Sequence, residues 1–334
     1  MWRARAGLGA TAIAAGFALA GALPAAAAPT GADAVSTAAV GSPLRVMPLG
    51  DSITMGIGSA TMSSYRIDLQ KRLAGAGMDV DFVGSQQHGS PATADLDHEG
   101  HSGWTVAKIA ANVDGWLTTY QPDAVLLMIG TNDLRTEAGS VGATERLSAL
   151  VDQITVAAPA TELFVAKITG TRTAGNAPQQ KRTDAYNARI PGIVAAKGAH
   201  VHLVDQSTVR RLDIRDGLHP NDFGFAKMSW NWYQAMQKVY HKSGTAWPAS
   251  DDPFATTKAN MCHLVDGDPG PKWVAFFDCR WWYKNLVPTT INGKTTKVWT
   301  WQTKRYVSES YRVNVNGHWE DRTRRVSKWF SGVI

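Results

Sequence analysis

Cysteine is scarce in this chain: Cys262 and Cys279 are the only two in 334 residues. That is too few for a disulfide framework, and no companion cysteine completes a set of metal ligands. The pair is expected to form one disulfide in an oxidising compartment. Long apolar runs are also missing beyond the N-terminal segment. No later window approaches the roughly 18 apolar residues of a spanning helix, so no membrane partner is expected. Charged residues make up 19% against 44% hydrophobic, a balance that excludes a disordered chain. The glycine-rich stretch "MPLGDSITMGIGS" lacks what a phosphate loop requires. After Gly50 come Asp51, Ser52, Ile53, Thr54, Met55 and Gly56, with Ile57 where the lysine would stand. Gly56-Ile57-Gly58 also lacks the third glycine of a dinucleotide fingerprint, which excludes a nucleotide cradle and leaves a reactive serine.

What is present divides the chain into five parts. Residues 1–28 carry two arginines, an apolar stretch and a run of alanines, the pattern of a signal peptide, so the mature protein is expected to be secreted and extracellular. Residues 29–42 are small and polar and read as a flexible leader. Residues 43–243 form the main domain, 244–260 a linker, and 261–334 a tryptophan-rich basic module. The module is where the charge lies. Residues 255–334 hold 13 Lys/Arg against 6 Asp/Glu, whereas residues 29–254 hold 19 against 22. The pI of 9.3 is therefore a property of the tail, and nucleic acid is not an expected partner of the whole.

From Leu44 onward strand and helix signals alternate. "LRVMPLG", "VDFVGS", "DAVLLMIG", "ELFVAKIT" and "VHLVD" read as strands. "SYRIDLQKRLAGAG" places Ile67, Leu69, Leu73 and Ala74 near one helical face, and "TVAKIAANVDGWLTTY" reads as a second helix. Three more follow, the last over "NDFGFAKMSWNWYQAMQKVYHK". Repeated β-then-α units predict a parallel sheet between helical layers, with functional residues in loops beyond the carboxyl ends of its strands.

A hydrolytic serine needs a base, a group to orient the base, and donors for the developing oxyanion. "RDGLHPND" holds Asp216 and His219 three apart, so that a carboxylate can orient an imidazole whose other nitrogen faces outward. "EGHSGWT" supplies the N–H of Gly103, and "MIGTNDL" the side-chain amide of Asn132. The Ser52 loop is not the G-x-S-x-G elbow, because Thr54 replaces its second glycine. In order and spacing, "GDS", "SG", "GTND" and "DGLH" resemble the four blocks of the SGNH, or GDSL, hydrolase superfamily. The fuller strings "RVMPLGDSIT", "HEGHSGWT", "IGTNDL" and "DGLHPND" look most like bacterial acetyl xylan esterases of carbohydrate esterase family 3. The likeness covers about residues 43–240.

That resemblance implies a three-layer α/β/α flavodoxin-like domain and a secreted serine esterase that removes O-acetyl groups from xylan or a related polysaccharide through an acyl-serine intermediate. Ser52 would be the nucleophile, His219 the base and Asp216 its partner. The N–H groups of Ser52 and Gly103 with the amide of Asn132 would form the oxyanion hole, and no metal or other cofactor is implied. Two alternatives stand beside it: a lipolytic or short-chain esterase, and a carbohydrate- or wall-binding protein with an inert α/β domain. Locally, Ser52 or Asp216 could instead only cap a helix.

"DLDHEGH", with Asp95, Asp97, His98, Glu99 and His101, superficially resembles a metal cluster but lacks the helical H-E-x-x-H spacing. It is read as a loop lining the substrate cleft, with His101 and Trp104 as candidate sugar contacts and Asp133 as a support for its own loop. In the tail, Asn-Gly pairs signal hairpins and a small β-rich module. Trp281, Trp282, Trp299 and Trp301 are candidates for stacking on polysaccharide or cell-wall polymer, or for filling the module's core.

Overall fold

The computed structural model describes residues 42–91, 94–172, 177–241, 251–264, 277–291 and 293–332. The signal-peptide expectation and nearly all of the leader lie outside the described residues. In chain order the first elements are β1 (Leu44–Gly50), α1 (Ser52–Met55), α2 (Arg66–Gly75), β2 (Val80–Phe82), β3 (Gln86–Gln87) and β4 (Asp97–Gly100). Then come α3 (Val106–Ala110), α4 (Val113–Tyr120), β5 (Ala124–Met128), α5 (Glu137–Ser140), α6 (Ala143–Ala157), β6 (Glu162–Lys167), α7 (Pro178–Ala195), β7 (Val201–Asp205) and α8 (Asp222–Tyr240). The chain ends in β8 (Lys258–Leu264), β9 (Phe277–Ile291), β10 (Lys294–Val315) and β11 (His318–Ser331).

The first seven strands form one sheet in the order β3-β4-β1-β5-β6-β7, with β2 also on β1. All neighbours are parallel except β3 and β4. Every residue of β5 is buried, as an uninterrupted apolar run in a sheet covered on both faces should be. Helices α2 and α8 pack together, and α6 packs against α3, α4 and α7. The predicted second helix is two, broken between Ala110 and Val113. In α2, Ile67, Leu69 and Leu73 are buried, but Ala74 is exposed.

β1 contains a proline, which a central strand seldom tolerates because it removes a ladder donor. Here β2 pairs with Leu44 to Val46 and β4 with Leu49 and Gly50, all along the edge away from β5. The Val46 carbonyl accepts from Val83 N–H on that edge. Pro48, two residues on, faces the same edge, in the gap between the two partners. Its missing N–H leaves no bond unmade.

The last four strands form a separate antiparallel sheet, ordered β11-β10-β9-β8, joined by the Cys262–Cys279 disulfide between β8 and β9. Its first strand begins at Lys258, inside the segment read as linker. One face packs on the main domain: Ala259, Met261 and Trp282 are buried against Leu212 and Phe223. Among the described residues no helix is long and apolar enough to cross a membrane.

Candidate active site

The strand order reverses direction around β1: the chain goes from it to one side of the sheet and returns to the other at β5. Crevices at such points receive ligands in open α/β sheets. Register places three strand ends side by side there. Gly50 pairs with Gly100 of β4 and with Met128 of β5. The loops that follow therefore bring Ser52, Gly103 and Asn132 to one end of the sheet, and the loop before α8 adds Asp216 and His219.

Ser52 Oγ lies 2.9 Å from His219 Nε2, and His219 Nδ1 lies 2.8 Å from Asp216 Oδ2. With Nδ1–H donating to the ionised carboxylate, Nε2 is left as the acceptor for the serine hydroxyl. Asp216 Oδ1 accepts from the N–H groups of Leu218 (2.8 Å) and His219 (2.9 Å). Partial burial pushes this carboxyl up, but the His219 ring and the two N–H donors outweigh it and hold it well below the usual range. Asp216 stays an anion. The cap of α8 is Asn221, which accepts from Gly224 N–H at 3.0 Å, so Asp216 is engaged with the histidine and not with the helix end. Likewise Asp51, not Ser52, caps α1.

One glycine sets the serine–histidine approach. Gly58 has φ +102°, and a Cβ there would stand 2.8 Å from His219 Cβ and 2.3 Å from the Pro220 carbonyl oxygen. Its own carbonyl accepts from Arg215 at 2.9 Å. Gly103 has φ +76° with open space where a side chain would be.

The loops of the candidate oxyanion donors are tied to each other. Asn132 Nδ2 donates to the Trp104 carbonyl at 2.8 Å, leaving the other amide hydrogen for a ligand. Asp133 is buried and accepts from Val106 N–H (3.0 Å) and Arg146 (2.9 Å). It thus pins the Asn132 loop to the start of α3, just after Gly103, which is the supporting part expected of it.

Other candidates are placed differently. "DLDHEGH" is not a cleft loop: its second half is β4, with His98 and Glu99 fully buried. Charged side chains hide a strand from an apolar pattern, yet each is satisfied by the protein. Glu99 accepts from Ser85 N–H (2.5 Å) and Ser85 Oγ (3.1 Å) and meets His101 Nε2 at 2.7 Å. His98 Nδ1 accepts from Gly100 N–H at 2.8 Å, and Asp95 accepts from Phe82 and Asp97 N–H groups. The His101 ring stacks on Trp104 at 4.2 Å and on Trp116 at 4.9 Å, and the two indoles stack on each other at 6.0 Å. The three rings form one cluster that braces the Gly103 loop, and His101 Nε2 is held by Glu99 at 2.7 Å. Trp104 is half-buried in the same stack.

The four tail tryptophans divide. Trp282 is 4% exposed in the module's core, and Trp301 packs edge-on to Phe223 with centroids 5.7 Å apart. The sheet turns both toward the main domain, Trp282 buried and Trp301 half-buried at the wall of a cavity. Trp281 and Trp299 are exposed, and Trp299 lines a cavity of about 190 Å³ with Arg210 and Arg211.

Sequence reading passed over two buried charges. Asp51 accepts from Ile53 N–H at 2.9 Å. Full burial pushes its carboxyl up to about 6, against the pull of that N–H and of nearby His219. Its position inside "GDS", next to Ser52, was the available signal. Arg66 is wholly buried and donates to the carbonyls of Thr54 (3.2 Å), Leu96 (2.8 Å) and His88 (2.6 Å), latching the end of α1 to the 88–96 loop. No local pattern marks an arginine whose partners are backbone carbonyls from three loops.

The model of the GDSL-like Lipase/Acylhydrolase family matches residues 49–227. A family 3 carbohydrate esterase from Clostridium thermocellum superposes with TM-score 0.53 at 40% identity, over 59% of this chain and 97% of that one. A putative endoglucanase X from Acetivibrio thermocellus is 40% identical over 137 residues, 39% of this chain. A multidomain esterase from Ruminococcus flavefaciens is 30% identical over 261 residues, 69% of this chain. The matches span 57% and 32% of those two relatives' lengths.

Proposed function

Because the chain belongs to the GDSL-like Lipase/Acylhydrolase family, we propose that it is a carboxylic ester hydrolase that releases acetyl groups from xylan or a related polysaccharide through an acyl-serine intermediate. The observation that carries the chemistry is the aligned relay from Ser52 Oγ through the His219 ring to Asp216, at 2.9 and 2.8 Å. His219 Nε2 takes the hydroxyl proton as Oγ attacks the ester carbonyl, and Asp216 holds the resulting imidazolium in place. The N–H groups of Ser52 and Gly103 and the Asn132 amide receive the oxyanion. His219 then gives the proton to the sugar oxygen as the ester C–O bond breaks, and water repeats the sequence on the acyl-serine, releasing acetate and restoring Ser52. The similarity to a family 3 carbohydrate esterase supports a carbohydrate ester as substrate. The leader pattern of residues 1–28 and the Cys262–Cys279 bond support export.

Ser52→Ala tests the mechanism: acetate release from acetylated xylan is expected to fall by about 10⁴-fold or more. Acetate release that survives the change overturns the acyl-serine step. Fast hydrolysis of long-chain esters by the unaltered protein, with none on xylan, would move the assignment to a lipolytic esterase.

A further inference from the structure

In the C-terminal sheet, antiparallel register sorts side chains onto two faces. Trp329 lies opposite Lys304, Ser327 opposite Tyr306, Arg325 opposite Ser308, and Trp319 opposite Asn314. Tyr283 lies opposite both Gln302 and Lys258, and Trp281, two residues before Tyr283, shares that face. All of these point away from the face on which Trp282 and Met261 are buried against the main domain.

On this outer face cations and rings alternate. Lys258 Nζ sits 4.4 Å from the centroid of Trp281 and 5.7 Å from that of Tyr283. Tyr283 meets Trp329 edge-on at 5.7 Å, and Lys304 lies 5.9 Å from Trp329. Arg325 sits 4.8 Å from Tyr306, and Arg312 5.8 Å from Trp319. From the Trp329 row to the Trp319 row is ten residues of β10, roughly 34 Å at the usual rise. Trp281, Tyr306, Trp319 and Trp329 are each 48–67% exposed.

The carboxylates are elsewhere. Glu309 pairs with Arg324 and Lys328, and Glu320 with Arg322, all on the opposite face. Asp321, beside Arg312, is the one carboxylate on the outer face among the described residues of the four strands. Lys258, Lys304 and Arg325 there carry charge with no carboxylate against them among the described residues. A cation over a ring keeps its full charge while losing part of its hydration. Exposed rings interleaved with such cations are a surface built to be covered.

We propose that this outer face docks an acidic polysaccharide: an extended glycan whose carboxylates meet Lys258, Lys304 and Arg325 and whose sugar rings lie on the exposed aromatic faces. The complementarity is one of charge and shape, since a linear chain with apolar ring faces and single carboxylates matches a narrow strip of rings and cations. The preference for a glycan over nucleic acid rests on the polysaccharide reading of the catalytic site.

Affinity electrophoresis of the full chain in gels containing polygalacturonate, neutral xylan or duplex DNA tests the proposal. Polygalacturonate is expected to retard the protein most, and added salt to release it. The double variant Lys304→Glu, Arg325→Glu is expected to bind polygalacturonate at least about tenfold more weakly. Trp319→Ala with Trp329→Ala, which removes rings and not charge, should weaken it too. Hydrolysis of a small soluble ester by the same samples should be unchanged, which establishes that the variants are folded. No retardation of the unaltered protein, equal retardation of the charge-reversed one, or tighter binding to DNA than to polygalacturonate overturns the proposal. A chain that binds polygalacturonate but hydrolyses no ester refutes the catalytic reading alone.

Discussion

Strand β5 has five residues, all buried, while β10 has 22, of which only Thr300 and Thr303 are buried. The two sheets of this chain hold their register by different means. In the first, a slip of β5 by one residue would move nothing from core to water, because both its faces are covered, but it would break the alignment of strand ends that gathers Ser52, Gly103 and Asn132. In the second, one face rests on Leu212 and Phe223 and the other is wet. Register there is held by turns: Asn316 and Gly317 both have positive φ (51° and 87°), and Asn314 Oδ1 accepts from Gly317 N–H at 2.8 Å. Such a turn matches the twist of the strands it joins. A chain can thus carry one sheet specified by what surrounds it and another specified by where it turns.

The largest expected effect lies wholly in the first sheet's loops. Asp216→Asn keeps the size of the side chain but removes the anion that selects the His219 tautomer. The kcat for a small ester is expected to fall by about 10⁴-fold, with hydrogen exchange in β9 and β10 unaltered. A fall of less than tenfold would mean that Asp216 only shapes its loop.

Next comes the second sheet. Trp282→Ala empties its small core and is expected to cost about 3–5 kcal/mol. Hydrogen exchange should show β8 and β9 losing protection while small-ester turnover persists. Loss of turnover together with protection would show that the two sheets fold as one unit, coupled where His263 Nδ1 donates to the Ile214 carbonyl at 3.1 Å.

The smallest effect is a pH slope. In the fold the Asp51 carboxyl is pushed up to about 6 from its ordinary 3.8. Between those values the folded chain holds a proton that the unfolded chain has released, so this group makes stability fall as pH rises through the window. Asp51→Asn keeps an acceptor for Ile53 N–H and removes that slope. Melting temperature followed from pH 4 to pH 7 should flatten in the variant, with a gain at pH 7. An unchanged slope would mean that Asp51 is ionised throughout.

Much of the first sheet was legible because burial writes itself into sequence: β1 and β5 are largely buried runs followed by the loops of Ser52 and Asn132. Ser52, Asp216, His219 and Asn132 could be picked out because each brings a chemistry that few other residue types supply, whereas Gly103, whose N–H any residue but proline would offer, was marked by its block's resemblance to the family. β4 was illegible, since His98 and Glu99 are made tolerable in a sheet by Ser85, Gly100 and His101, partners that only the fold supplies. The cluster of His101 with Trp104 and Trp116 was hidden for the same reason, because Trp116 lies twelve residues beyond Trp104. In the tail, Asn-Gly pairs gave the hairpins, but composition could not say which tryptophans face outward. That depends on the parity of the strand register, which is why Trp282 proved buried while Trp319 and Trp329, not singled out, are exposed.

Gly58 has a use beyond this molecule. The contact between nucleophile and base exists here because one carbon atom is absent, so position 58 works as a sorting mark for related chains. A relative that keeps the serine, the aspartate and the histidine but carries a side chain here must either have moved its histidine loop outward or have lost the relay. Reading that single position beside the three catalytic ones would separate working members of the lineage from those that retain only the outline.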